Sequence, residues 1–149
     1  MHRDGVTERL HEVEDRIAAA CARSGRDPAE IHLVAITKGH PASTVVAALE
    51  AGLRGIGENR VAEAVEKFSA AAESLERHGA VRHMVGHLQR NKVRAAVRAF
   101  DWIQSVDSPR LAAELSRRIG DGPRRLPLLI EVNAGGEEQK HGFGDQAAV

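Results

Sequence analysis

Lys38 follows the run His32-Leu33-Val34-Ala35-Ile36-Thr37 and directly precedes Gly39-His40-Pro41. The run reads as a strand that the glycine and proline must break, so one amine stands at a strand's C-terminal end. In sheets where strands alternate with helices, that edge is where substrates and cofactors bind. A lysine partly desolvated there could form a Schiff base, since burial would disfavour the ammonium and leave more neutral amine to attack an aldehyde. The competing reading is a lysine that ends a strand to reach water, and this segment alone leaves both open.

Other polar groups gather where further strands should end: Gly55-Ile56-Gly57-Glu58-Asn59, then Gly86-His87-Leu88-Gln89-Arg90-Asn91-Lys92, then Asn133 through Gly142. The elements that must position them follow from hydrophobic periodicity. Leu10, Val13, Ile17, Ala20 and Cys21 recur at helical spacing between about Val6 and Arg23, and Ser24-Gly25 and Asp27-Pro28 end that helix. Pro41-Ala42-Ser43 opens a second helix that stops near Gly52. A short strand from Leu53 to Gly57, a helix from Val61 to Arg77 and a strand from Val81 to Gly86 come next. A helix from Asn91 to Phe100, a strand from Trp102 to Val106, a helix from Pro109 to Ile119 and a strand from Leu126 to Val132 complete the pattern.

Strict alternation with strands as apolar as Leu128-Leu129-Ile130 predicts a parallel sheet covered by helices and joined by right-handed crossovers. The expected fold is α/β, of the (β/α)8 TIM-barrel type, in which the polar segments converge on one mouth with Lys38. A closed barrel needs eight strands and about 250 residues. These 149 residues supply five, before a nascent helix from Asp145 to Val149. The expectation is therefore a single domain over residues 1–149, truncated at its C-terminal side, with exposed edges on its first and fifth strands that favour association.

At four blocks the chain resembles the pyridoxal phosphate homeostasis proteins (YggS/PROSC type), relatives of the alanine racemase barrel. The blocks are Val34-Ala35-Ile36-Thr37-Lys38 with Pro41, and Gly57-Glu58-Asn59 with Val61 and Glu63. The others are His83-Met84-Val85-Gly86 with Leu88-Gln89 and Asn91-Lys92, and Val132-Asn133 with Glu137, Lys140 and Gly142. Together they extend from Ile31 to Phe143. The resemblance implies that Lys38 holds pyridoxal 5'-phosphate as a Schiff base, that Asn59 and His83 approach its ring, and that Lys140 is a second amine near the mouth. It also implies a carrier that serves vitamin B6 homeostasis and delivers the cofactor to apoenzymes, without established turnover; the protein is further expected to be cytoplasmic and monomeric when intact.

The chain departs from the family pattern at Arg82, where tryptophan is common, and at Ala62, where glutamine is common. The family's phosphate-holding residues after late strands, and its arginine facing the pyridine nitrogen, have no counterpart within these residues. The alternative is an enzyme of the same fold group, an amino-acid racemase. Such racemases use a tyrosine from a second domain, and this chain has no tyrosine. An aldolase that forms its Schiff base without cofactor would need an acid and base beside Lys38.

Other readings are less favoured. Gly55-Ile56-Gly57 lacks the third glycine of a dinucleotide-binding turn, since Arg60 stands there. His83 and His87 are four apart but begin in a strand, so they do not share a helical face, and no metal site is expected. Basic and acidic residues balance at 21 each, which gives no overall field for nucleic acid or an anionic membrane. Arg90, Lys92, Arg94 and Arg98 then read as a solvated helix face, and Glu58, Glu63 and Glu66 as helix-start charges in water. Cys21 is the only cysteine, which excludes an intrachain disulfide and fits a reducing compartment. No signal-peptide core or membrane-length apolar run is present.

Overall fold

The computed structural model describes residues 3–120, 123, 125–137 and 141–144. Helix α1 (Arg3–Ser24) leads to a 3-10 turn (Pro28–Glu30) that Asp27 caps by accepting the Ala29 N–H at 2.9 Å. Strand β1 (Val34–Ile36), helix α2 (Ala42–Glu50), strand β2 (Gly55–Glu58) and helix α3 (Val61–Ala70) follow. Next come α4 (Ala72–Arg77), β3 (Val81–Met84), a 3-10 turn (Arg90–Lys92), α5 (Val93–Ala99), β4 (Trp102–Val106), α6 (Pro109–Ile119) and β5 (Leu128–Ile130).

The five strands form one sheet in the order β1-β2-β3-β4-β5 with every pairing parallel. Parallel strands in sequence order with intervening helices are the arrangement of part of a (β/α)8 barrel, as the alternation predicts. The core lies between sheet and helices, where Ile56, Met84 and Ile103 meet Leu49, Ala64 and Leu115, all almost wholly buried. Phe68 of α3 and Phe100 after α5 meet edge to face with centroids 5.7 Å apart. The opposite face is concave, and Val34, Gly55, His83, Trp102, Gln104 and Leu129 line a cleft of about 730 Å³ along it.

Three expectations need correction. The helix read over Val61 to Arg77 is two helices, broken at Ala71 (φ −106°, ψ 12°), where no side-chain cap, glycine or proline marks the break. Strand β5 is not covered. Leu128, Leu129 and Ile130 are 38 to 52% exposed, on a strand that stands at the sheet edge and pairs with β4. Among the described side chains of α1 only Val6, Leu10 and Cys21 are buried, while Val13 and Ala20 of the expected apolar face are exposed. Among the described residues, no helix is long and apolar enough to cross a membrane.

Candidate functional site

Lys38 lies two residues beyond β1, exposed, at the C-terminal edge of the sheet. The ladder continues to the Thr37 N–H, which donates to the Gly57 carbonyl at 3.0 Å. Gly39 then turns the chain with φ 73°, a conformation that costs a glycine little and a side chain a good deal. The residue pairing of β1 with β2 ends at Ile36 opposite Gly57, and Lys38 stands two residues further on, in the turn. His83, which pairs with Gly57, belongs to the layer below, about 6.6 Å deeper along the strands. Lys140 lies outside the described residues.

Asn59 follows β2 where β3 ends against it. A side chain on Gly86 would meet the Asn59 Cα at 2.7 Å, so only glycine permits this approach. Gly86 is itself held by the Ser105 hydroxyl, which donates to its carbonyl at 2.6 Å. The Asn59 Oδ1 is buried without a hydrogen-bond partner among the described residues. A buried acceptor left unpaired is costly, so it suits a polar ligand at this edge, where Lys38 is exposed.

His83 is 8% exposed and stacks on Trp102 with centroids 6.1 Å apart. Its Nδ1 is 3.1 Å from the Gln104 Nε2, which can donate to it. Burial pushes the imidazole below its ordinary value of 6.5, opposed by Asp101 and aided by His32. A base with a depressed folded pKa stabilises the fold fully above 6.5, and that contribution is lost as pH falls through the lower folded value. Thermal melts of the wild type should therefore drop as pH is lowered below 6.5, and His83→Gln should flatten that decline. Equal slopes in the two proteins would show that His83 is not held neutral by burial.

The glutamates are the main correction to the sequence reading. Glu58 is wholly buried, because Ile56 and Glu58 alternate onto the helical side of β2. There it meets Lys67 of α3, which is only 6% exposed. The three ammonium protons of Lys67 have three acceptors: Glu58 Oε1 at 2.5 Å, the Thr37 carbonyl at 2.7 Å and Glu63 Oε1 at 3.0 Å. The Thr37 hydroxyl also donates to Glu58 Oε1 at 2.6 Å, and the Gly39 N–H donates to Glu63 Oε1 at 2.7 Å. The Gly39 amide first, then Lys67, hold the Glu63 carboxyl below its ordinary 4.5. Glu66 is exposed, as expected.

Lys67 escaped the sequence reading, although a signal was present. It shares the buried stripe of α3 with Val61, Ala64 and Phe68, where a lysine needs a buried partner.

A further cluster joins His87 and His141 to Asp107 across three loops at the same edge, with donor atoms within 4.8 Å of one another. The His87 Nδ1 is 2.9 Å from Asp107, and the two rings stack with centroids 3.8 Å apart and planes 14° from parallel. In-plane lone pairs of parallel rings do not converge on one ion, so this arrangement is not a formed metal site. The basic residues Arg90, Lys92, Arg94 and Arg98 are exposed, in keeping with a solvated face.

Residues 2–149 match the family model of the alanine racemase N-terminal domain. The pyridoxal phosphate homeostasis protein of Escherichia coli K12 is 39% identical over 141 residues, which cover 93% of this chain and 58% of that protein. That of Aquifex aeolicus is 38% identical over 136 residues, covering 91% and 58%. This chain thus spans less than two thirds of the length of these curated relatives. The structure of PipY from Synechococcus elongatus PCC7942 with PLP bound superposes with a TM-score of 0.75 at 37% identity, over 96% of this chain and 59% of that one. The crystal structure of an unknown protein from Bifidobacterium adolescentis superposes at 0.81, with 37% identity over 97% of this chain and 61% of that one. The parallel sheet and the matched residues make the chain a member of the alanine racemase N-terminal domain family, and it is similar to the pyridoxal phosphate homeostasis proteins.

Proposed function

We propose that the protein binds pyridoxal 5'-phosphate through a Schiff base on Lys38 and serves vitamin B6 homeostasis by holding the cofactor and delivering it to apoenzymes. The observation that carries this reading is an exposed Lys38 at the sheet edge where Asn59 holds a buried Oδ1 without a partner among the described residues. The likeness to PipY with PLP bound supports the choice of aldehyde.

The Lys38 nitrogen would add to the aldehyde carbon of the bound cofactor, with C=N replacing C=O and the oxygen leaving as water. The Asn59 amide supplies hydrogen bonds beside the amine, and neutral His83 backs the layer beneath. Lys140 is proposed as a second amine near the mouth. When bound, the cofactor supplies an electron-withdrawing pyridine ring. On this reading residues 1–149 belong to one barrel domain, and the protein works in the cytoplasm as a monomer.

Absorbance titration with pyridoxal phosphate, then borohydride reduction and peptide mapping, tests the reading on this chain and on its natural full-length form. The expected result is a reduced adduct at Lys38. An adduct elsewhere, or none in either form, would overturn it, and sustained turnover of an amino acid would replace the carrier with the racemase alternative.

A further inference from the structure

We infer that Glu63 and Lys67 are positioning residues for Lys38, gripping the peptide groups on either side of its Cα and thereby fixing where its amine is presented. This rests on the Schiff-base reading of Lys38. The peptide before Lys38 contributes the Thr37 carbonyl, which accepts from Lys67 Nζ at 2.7 Å. The peptide after it contributes the Gly39 N–H, which donates to Glu63 Oε1 at 2.7 Å. The two grips are joined by the 3.0 Å bond from Lys67 to Glu63, and Glu58 completes the anchor at 2.5 Å.

The grip sits where the sheet stops holding the chain. Past the bond from the Thr37 N–H to the Gly57 carbonyl, the backbone leaves the ladder and turns at Gly39. A Cα held through both of its peptides cannot rotate freely, so the root of the Lys38 side chain is set before any ligand arrives. Such preorganisation matters because a misplacement of about 1 Å at a reacting group can cost about a hundredfold in rate.

A purely structural role for these residues is the poorer explanation. Apolar side chains could pin α3 to β2 without the cost of burying an ammonium and a carboxylate. They could not bond to the Thr37 carbonyl and the Gly39 N–H. Thr37 faces Glu58 on the helical side of the sheet. Lys67, with its side chain 5% exposed and all three protons engaged, does not compete for the aldehyde.

The test compares the natural full-length protein with Glu63→Ala, Glu63→Asp and Glu63→Gln. The side chain of Glu63 is 31% exposed, so these variants should fold, which circular dichroism checks. In cofactor-free protein, Gly39 amide exchange measured by NMR should accelerate at least about tenfold in the Ala and Asp variants. Asp keeps the charge but falls one methylene short. Gln keeps an oxygen at the right reach and should restore protection. Borohydride-trapped labelling of Lys38 by pyridoxal phosphate should slow about tenfold or more in Ala and Asp and recover in Gln, within the span that misplacement allows.

Unchanged Gly39 exchange or unchanged labelling in Glu63→Ala would overturn the inference, as would Gln behaving like Ala. No label at Lys38 in the wild type would overturn the Schiff-base reading instead. Gly39 exchange would then still decide whether the grip exists.

Discussion

Lys67→Met is expected to be the most destabilising single substitution in the site, at about 3–5 kcal/mol, because it strands a buried carboxylate. Glu58 is wholly buried, and its Oε1 receives Lys67 and the Thr37 hydroxyl while its Oε2 has no partner. Removing the ammonium leaves a charge with one neutral donor. Glu58→Gln should cost less, because Lys67 keeps Glu63 and the Thr37 carbonyl. The double variant Glu58→Leu/Lys67→Met should melt above Lys67→Met alone, since a well-packed apolar pair removes both desolvation penalties. At this chain length the single loss corresponds to a fall in Tm of about 10 °C. A loss under about 1 kcal/mol for Lys67→Met, read from denaturant melts, would mean that water reaches the pair.

Lys38→Ala should abolish capture of pyridoxal phosphate while leaving the fold intact. Trapped adduct should fall at least about a hundredfold, to background, because the substitution removes the nucleophile itself. Lys38 is exposed, so stability should change by no more than about 0.5 kcal/mol. Lys67 offers no substitute, being buried with every proton engaged. Lys38→Arg separates the two ways a cation could act. It keeps a positive charge for a phosphate, but guanidinium stays protonated and forms no imine under these conditions. Spectra and mass-mapped peptides should therefore show no adduct in either variant. A full adduct in Lys38→Arg would place the reactive amine on another residue.

Much of this architecture is readable locally. Strand β4 and helix α6 lie on their expected boundaries because their signals are short-range: Ser108 accepts the Leu111 N–H, Pro109 follows it, and Gly120 ends the helix at φ 70°. Lys38 falls at a strand end because Gly39 and Pro41 must interrupt the run whatever surrounds them. Strand-helix alternation was enough to predict a parallel sheet, since successive parallel strands need crossovers.

Long-range contacts were decided elsewhere. Glu58 reads as a solvated helix-start charge until β2 is seen to turn it toward α3, where Lys67 lies on the apolar stripe. His87 and His141 are far apart in sequence and meet only because β3 and β5 end at one edge. The exposure of Leu128, Leu129 and Ile130 cannot be inferred from their apolarity, because burial belongs to the neighbour that covers a surface and not to the residue that carries it. By itself the sequence determined the alternation of strands and helices, the parallel fold and the edge on which Lys38 stands, all products of local backbone preference and periodicity. Only the tertiary structure decided that Lys67 and Glu63 hold the peptides flanking that lysine, because a buried charge acquires its partner only when two faces are brought together.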